Sequence, residues 1–285
     1  MNMKDRLQEA LVVLALRLTV GIALLGLLAV FFDIAYKGAG VLSWEFLTEP
    51  PRQGMMAGGI FPAIIGSVYL VGLSLAVSVP LGILSAIYLA EYAHHGRLTR
   101  AVDISIRNLA GTPSIVFGLF GLGLFVNFLG FRQSLLSGAL TLACMSLPVT
   151  ITTSREALLA VPNEFREAAY ALGATKLQVV GKVVLPNALS GILTGIVLSS
   201  SRVIGETAPI MLTAAAYYAP SLPSSPFDRV MALPFHLFVM ATQSPNPLKT
   251  APIQYGTSLV LLLLAVGLNS VALLIRAKRR RLKAW

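Results

Sequence analysis

The amino-acid sequence predicts an all-α, polytopic membrane protein with six transmembrane helices and with both termini in the cytoplasm. Three observations support this fold class: a very apolar composition, six long uncharged stretches, and a one-sided distribution of lysine and arginine. Of the 285 residues, 56% are hydrophobic and only 12% are charged, whereas soluble domains carry about 25% charged residues. The mean hydropathy of +0.78 is too high for a single soluble core, so the bilayer is the expected solvent.

Six apolar stretches approach the ~20 residues that a helix needs to cross a bilayer. Four of them cover residues 11–32, 60–90, 188–216 and 256–275, and the other two lie between Arg107 and Arg132 and between Arg132 and Arg155. Their apolar residues do not alternate every second position, as they would in the strands of a membrane barrel. We therefore predict six helical spans.

The spans divide the chain into four parts. A cytoplasmic segment with the first helix (1–35) precedes a periplasmic loop (36–59), a five-helix core (60–276) and a basic cytoplasmic tail (277–285). The core contains a cytoplasmic loop at 153–187 and an outer loop at 217–255 that holds seven prolines. We expect this outer loop to be irregular and to act as an external lid or docking surface.

Lysine and arginine residues set the predicted orientation. With the N-terminus inside, fifteen of the 22 lie in cytoplasmic segments and five in outer segments, and Arg17 and Arg202 lie within spans. This bias agrees with the positive-inside rule. The basic tail is typical of an anchor to anionic membrane lipid. Because no aromatic-interleaved groove accompanies the net charge of +10, we do not expect nucleic-acid binding.

The sequence also argues against several kinds of catalytic site. Cys144 is the only cysteine, so neither an internal disulfide nor a cysteine metal site is expected. No His-Glu-x-x-His metal motif occurs. The stretch from Gly173 to Gly181-Lys182 is not a P-loop, because its glycines are too far apart and Val183 stands where Ser or Thr is needed. An intramembrane enzyme or a receptor without transport activity therefore remain weaker alternatives, and we expect this chain to bind no ATP itself.

The cytoplasmic loop is predicted to form a helix, a glycine turn and a second helix. Asn163 is expected to cap a helix that starts at Glu164, Gly173 to end it, and Thr175 to start the next helix. On these features alone, an interfacial amphipathic hairpin is the alternative.

The same loop carries a motif. Glu167-Ala168-Ala169 is followed by three residues, Gly173, nine residues and then Val183-Val184-Leu185-Pro186. This pattern resembles the EAA motif of ABC-importer permeases, with Val183 in place of Ile. The resemblance implies a type I ABC importer permease fold and a coupling helix that docks on a separate ATP-hydrolysing subunit. The residues it assigns to coupling are Glu167, Ala168, Ala169, Gly173, Leu185 and Pro186.

Further stretches at 82–92, 112–119, 166–173 and 201–209 resemble the A-type permease subunits of bacterial phosphate (Pst) importers. The resemblance implies a non-catalytic subunit of the bacterial inner membrane that forms half of a translocation pathway for inorganic phosphate. Its expected partners are a homologous second permease subunit, two copies of an ATP-binding subunit that carry the ATP and Mg, and a periplasmic or lipid-anchored phosphate-binding protein. A permease for another oxyanion, such as sulfate or molybdate, is the alternative, and the EAA motif does not distinguish the two.

Two charges, Arg202 and Glu206, fall in the middle of the fifth apolar stretch. A charge at bilayer depth costs about 2.5–3.5 kcal/mol and marks either an ion pair or a transport pathway. In one interpretation the residues form an i,i+4 pair that only cancels their charges. In the other, Arg202 contacts the transported anion, because guanidinium suits phosphate, and Glu206 positions it. The resemblance favours the second interpretation.

A second candidate element of the pathway is the break at Thr112-Pro113-Ser114. Hydroxyl and backbone donors at a helix start attract anions, so we expect Thr112 and Ser114 to contribute to the pathway. A simple kink at Pro113 is the alternative.

The charge bias yields a topology prediction. In a Cys144→Ala background, cysteines introduced by His94→Cys and Arg280→Cys should react with an impermeant thiol reagent only from the cytoplasm. A cysteine introduced by Ser224→Cys should react only from outside, because position 224 lies in the outer loop. Labelling of position 280 from outside would contradict the six-span topology.

Overall fold

The computed structural model describes residues 3–94, 96–244 and 246–281, and most of these are helical. In chain order the helices are α1 (Met3–Ala39), α2 (Trp44–Thr48), α3 (Phe61–Ile87), α4 (Arg97–Ala110), α5 (Ser114–Gly121), α6 (Leu135–Leu159), α7 (Asn163–Ala171), α8 (Lys176–Val179), α9 (Leu185–Ile204), α10 (Ala208–Thr213), α11 (Leu233–Gln243) and α12 (Pro247–Arg281). Wider π turns at Tyr88–Tyr92 and Leu122–Phe128 extend α3 and α5, and a third at Val180–Val184 joins α8 to α9. A small antiparallel hairpin pairs β1 (Pro51–Arg52) with β2 (Ala57–Gly58) around a 3-10 turn at Gln53–Met55.

The helices agree with the predicted all-α membrane fold. Within the described residues, five stretches are long and apolar enough to span a membrane: Leu11–Ala39, Phe61–Tyr92, Leu135–Leu159, Lys176–Ile204 and Pro247–Val271. The bent pair α4–α5 supplies a sixth crossing if it counts as one broken span.

The core is a bundle in which α6 packs between α3 and α9. Small residues permit this close approach. A Cβ at Gly82 on α3 would lie 2.6 Å from Cγ2 of Thr150, and Thr150 in turn shares a 2.8 Å hydroxyl–hydroxyl hydrogen bond with Ser199 on α9. Buried hydroxyls such as that of Thr141 also donate to carbonyls one turn earlier in their own helix, here Ser137 O at 2.7 Å. Such packing by small and hydroxyl-bearing residues is typical of membrane helices, between which the hydrophobic effect is weak.

The first helix lies at the periphery of this bundle. Along its apolar stretch α1 is exposed almost throughout, and it packs against α12. At this contact Lys37 pairs with Asp33 at 2.7 Å and donates to the Tyr255 hydroxyl at 3.2 Å. The helix also continues to Ala39, beyond the predicted boundary at residue 35.

The third predicted span is broken. At Gly111–Pro113 the chain bends by 105° between α4 and the helix that begins at Ser114. Pro113 has no N–H to donate and disfavours helical geometry in the preceding residue, so α4 ends before it. The segment from Ser114 to Phe128 counts as a span only together with α4, which lies across its end.

The fifth span differs from its predicted bounds of 188–216. The continuous helical stretch covers Lys176–Ile204, so it begins twelve residues earlier than predicted and ends before Gly205. The short helix α10 follows after the break. Arg202 occupies the last turn of α9, immediately before this break.

The outer loop is also more ordered than expected. Residues 217–255 include α11 and the start of α12, and α11 packs against α12 and α3. The Leu233 N–H donates to Ser67 Oγ at 2.8 Å, and the Gln254 amide donates to Met240 O at 2.9 Å. His236 on α11 is 2% exposed, and burial lowers its pKa to about 4, so the ring is neutral at neutral pH. The loop thus contributes buried structure as well as external surface.

Candidate functional site

The loop at 153–187 that carries the motif folds as the predicted helix, glycine turn and second helix. Gly173 has a φ of +81°, which a residue with a side chain rarely adopts, and its N–H donates to Tyr170 O at 2.9 Å. Thr175 then caps α8 in a capping box with Gln178. The expected role of Asn163 is corrected: Pro162 occupies the N-cap position, and Asn163 lies in the first turn. Its side-chain oxygen accepts a 3.4 Å hydrogen bond from Arg166.

The motif residues of this loop divide into an outer and an inner set. Glu167 and Ala168 are exposed on α7. Ala169 and Leu185 instead pack against a buried apolar cluster at this end of the bundle, formed by Ala86, Leu158, Val161, Val179, Val184, Ala188 and Ile192. Pro186 is half-buried in the first turn of α9. The outer set is available to another protein, whereas Leu185 holds the loop to its own bundle.

Large apolar side chains surround the exposed motif residues. Leu172 is 89% exposed and Leu177 is 74% exposed, and Phe165 and Tyr170 are exposed on the same loop. An apolar patch beside the charged Glu167 is typical of a protein contact surface.

A buried ion pair attaches α7 to the bundle. Arg166 Nη2 lies 2.8 Å from Glu91 Oε1, and the two side chains are only 13% and 8% exposed. The same guanidinium donates to the carbonyls of Leu158 at 2.9 Å and Val161 at 2.6 Å. Glu91 is placed by the π turn that ends α3, and the two carbonyls belong to the end of α6 and the turn that follows it. Arg166 therefore connects three separate segments.

This pair is not evident from the sequence, although both residues lie in the stretches that carry the family resemblance. The signals available in the sequence were a carboxylate directly after a long apolar run and an arginine beside the motif. Their 75-residue separation, however, concealed the pairing.

The second candidate site lies where the fifth span breaks. Arg202 Nε is 3.8 Å from Glu206 Oε1, with side chains 32% and 17% exposed. This separation fits an ion pair but is too long for a hydrogen bond. Within the described residues, the Arg202 guanidinium makes no other ion pair and no hydrogen bond. Its donors are thus partly accessible and unsatisfied by the protein.

The break in the third span lies beside the α9–α10 break. Gly118 packs against α10, where a Cβ would lie 3.0 Å from Pro209 Cα. Ser114 precedes Gly118 by one turn, or about 6 Å along the axis, and Glu206 shortly precedes α10. The structure thus brings the two interrupted helices together.

The two predicted hydroxyls differ in what they can offer to an anion. The Thr112 hydroxyl donates to Asn108 O at 3.0 Å, so its proton is already used. Ser114 begins α5 and is half-buried. Among the described residues, no hydrogen bond joins either side chain to Arg202 or Glu206. A metal site has no support in the described ranges, which contain no cluster of three or more His, Cys, Asp or Glu that could hold an ion.

Comparison with known proteins identifies relatives along most of the chain. Residues 78–281 match the family model described as the binding-protein-dependent transport system inner membrane component. Phosphate transport system permease protein PstA 1 of Mycobacterium tuberculosis strain H37Rv is 38% identical over 237 residues, covering 81% of this chain and 74% of the relative. A probable phosphate transport system permease protein PstA of Methanocaldococcus jannaschii is 33% identical over 247 residues, covering 87% of this chain and 86% of the relative.

Solved structures share the fold. A bacterial alginate ABC transporter in complex with its alginate-bound periplasmic protein contains a chain that superposes with a TM-score of 0.67 at 14% identity, covering 99% of this chain and 98% of that one. An inward-facing MetNI methionine ABC transporter gives a TM-score of 0.56 at 18% identity, covering 78% of this chain and 93% of that one. At these identities the similarity concerns the fold alone, and it agrees with the predicted type I ABC importer permease architecture.

The buried ion pair generates a stability prediction. Glu91→Ala leaves the Arg166 charge buried and uncompensated, so the free energy of unfolding should fall by about 3–5 kcal/mol. Thermal unfolding of the purified protein in detergent, followed by circular dichroism, measures the change. Glu49→Ala is the matched control, because Glu49 pairs with Arg52 in an exposed position and should contribute less than about 1 kcal/mol. Equal losses in the two variants would show that the Glu91–Arg166 pair is not a structural clamp.

Proposed function

The chain belongs to the family of binding-protein-dependent transport system inner membrane components, and we infer that it is a membrane-spanning subunit of a phosphate ABC importer. The observation that carries this inference is identity of 33–38% with PstA relatives along most of the chain. The fold agrees, since its solved neighbours are chains of ABC importers. The chain is a non-catalytic, multi-pass component of the inner membrane.

The phosphate pathway is proposed to pass the break at Arg202. An arginine remains charged at any physiological pH, and its planar fork binds phosphate oxygens in pairs. Here the guanidinium is about one-third exposed and makes no protein hydrogen bond within the described residues. Glu206, at 3.8 Å, orients this charge and weakens its attraction for an anion enough for release. Irregular backbone at membrane depth is tolerated where it lines a cavity, which supports a pathway beside Gly205–Thr207.

The adjacent break extends this proposed pathway. Ser114 retains a hydroxyl at the start of α5, whereas the Thr112 hydroxyl is used by Asn108 O. We therefore assign Ser114 the larger role of the two in anion contact. This chain supplies one half of the pathway, and a homologous second permease subunit supplies the other.

Coupling to ATP hydrolysis is assigned to the outer face of α7. Glu167 and Ala168, with the exposed Leu172 and Leu177, form a charged and apolar surface that suits a groove on an ATP-binding subunit. Gly173 sets the angle between this surface and α8. Leu185 and Pro186 hold the loop on the side that faces the bundle. We place this loop and both termini in the cytoplasm. The complex then contains two ATP-binding subunits, which carry ATP and Mg, and an external phosphate-binding protein.

The substrate is tested by the anion dependence of ATP hydrolysis. The complex is purified with its own partners, reconstituted in lipid vesicles and supplied with its external binding protein. We expect phosphate to stimulate hydrolysis and sulfate and molybdate to leave it at the basal rate. Stimulation by sulfate or molybdate instead of phosphate would assign the chain to the alternative oxyanion, and stimulation by none of them would exclude an oxyanion importer.

The pathway is tested by substitutions at the charged pair. Arg202→Lys keeps the charge but loses the paired donors, so phosphate uptake should fall about tenfold or more. Arg202→Gln should be nearly inactive, and Glu206→Gln should be affected less. Uptake is normalised to assembled complex in membranes. Recovery of uptake in the double variant Arg202→Gln with Glu206→Gln would assign the pair a purely structural role.

A further inference from the structure

A basic cavity of about 460 Å³ lies at the start of α4, apart from the residues assigned to the pathway and to coupling. It opens at the same end of the bundle as α7, because Arg155 near the end of α6 forms part of its wall. Its charged lining consists of four arginines and one carboxylate: Arg97, Arg100, Arg107, Arg155 and Asp103.

The positive charge of this cavity is mostly uncompensated. Asp103 neutralises Arg155, with Oδ1 2.5 Å from Nη1. Within the described residues, Arg97, Arg100 and Arg107 have no acidic partner closer than 4 Å. The Arg155 Nε is buried without a hydrogen-bond partner there. Guanidinium groups arranged in this way are suited to a phosphate group, which accepts several charge-assisted hydrogen bonds.

An apolar groove continues from the basic cavity. A smaller cavity of about 280 Å³ shares Asp103, Arg107 and Arg155 with the basic one, and its lining adds a second carboxylate, Glu156, together with Ile106 and Ile151. Those two isoleucines also line a groove of about 380 Å³ between α5 and α6, whose other walls include Leu109, Val116, Phe120 and Leu147. From Ile151 to Cys144 the groove follows α6 for about 10 Å. The basic cavity and the apolar groove are therefore contiguous.

The helix α4 beside these cavities is amphipathic, with its apolar residues and its arginines on opposite faces. Leu98, Val102, Ile106 and Leu109 recur at helical spacing on one face, whereas Arg97, Arg100 and Arg107 lie on the other. The 105° bend places this amphipathic helix across the end of the spanning segment that begins at Ser114. Such a helix lies in the interface of a membrane, with its arginines at the level of the lipid headgroups.

We propose that the basic cavity and the apolar groove together bind one anionic phospholipid of the cytoplasmic leaflet. Its phosphate contacts Arg97, Arg100 and Arg107, and one acyl chain lies along Val116 and Phe120. Free phosphate has the same headgroup chemistry, but it would leave the groove empty. The continuity of the two spaces therefore favours the lipid.

The lipid site is tested on the purified complex by native mass spectrometry after incubation with phosphatidylglycerol or phosphatidylcholine in detergent. The wild-type complex should retain phosphatidylglycerol in preference to phosphatidylcholine. Arg97→Gln and Arg100→Gln should each lower the affinity for phosphatidylglycerol about fivefold. Val116→Trp should lower it by filling the groove. Phe120→Ala is a second groove variant, which removes an exposed ring without adding volume and should also lower retention.

Lys182→Gln is the matched control, because Lys182 is exposed at the same end of the bundle and lies outside the cavity. It should leave lipid retention unchanged. Binding of radiolabelled inorganic phosphate is measured on the same variants. Phosphate binding that needs Arg97 and Arg100, with lipid retention unaffected by either groove variant, would assign the cavity to free phosphate and overturn the proposal. Equal retention of the two lipids, or an equal effect of Lys182→Gln, would overturn it as well.

Discussion

The buried ion pair of Glu91 and Arg166 is the contact on which the positions of α7 and of the adjoining ends of α3 and α6 depend. The Arg166 guanidinium donates to the Glu91 carboxylate and to the backbone carbonyls of Leu158 and Val161. Glu91 and Arg166 are 75 residues apart in the chain. A charge this well buried is tolerated only when its partners are in place, so the end of α3, the end of α6 and the coupling helix must hold fixed positions together. The apolar cluster around Leu158 and Val179 then packs beneath them. With its inner side held in this way, α7 keeps Glu167 exposed on its outer side.

The requirement that backbone polar groups be satisfied within a membrane explains why most of the bundle is built from continuous helices. Continuous helices satisfy it along α3, α6 and α9, where small residues permit close packing. The two breaks, at Gly111–Pro113 and Gly205–Thr207, are exceptions that adjoin each other through Gly118 and Pro209. Some backbone groups of the helix ends at these breaks are satisfied locally, since the Gly111 N–H donates to Arg107 O and the Met211 N–H donates to Thr207 O. Arg202 lies at one of these breaks, with Glu206 as a counter-charge at 3.8 Å. The α6 helix contacts α5 and α10 beside these breaks, and its C-terminal end leads into the loop that carries α7.

Predictions from the sequence succeeded where the signal was local. The glycine turn at Gly173 and the cap at Thr175 depend on residues within one or two turns, and both were identified correctly. Asn163 was assigned the wrong position because Pro162 competes for the same helix start. The fifth span was placed too late in the chain because hydropathy continues across Gly205 into α10, and a local average cannot register a break that tertiary packing stabilises. The prolines of the outer loop similarly suggested irregular structure, although α11 gains its order from contacts with α3 and α12.

The all-α membrane fold class and the local structure of the loop that carries the motif could both be predicted from the sequence alone. These depend on composition, on run length relative to bilayer thickness and on fixed local spacing, all of which act between near neighbours. The packing of the helices is what brings Glu91 to Arg166, places the two broken helices side by side, and gathers four arginines next to an apolar groove. Each of these depends on residues that are distant in sequence and become neighbours only after helices pack. The energy of that packing resides in shape and small-residue contacts between helices, which no single stretch of sequence contains.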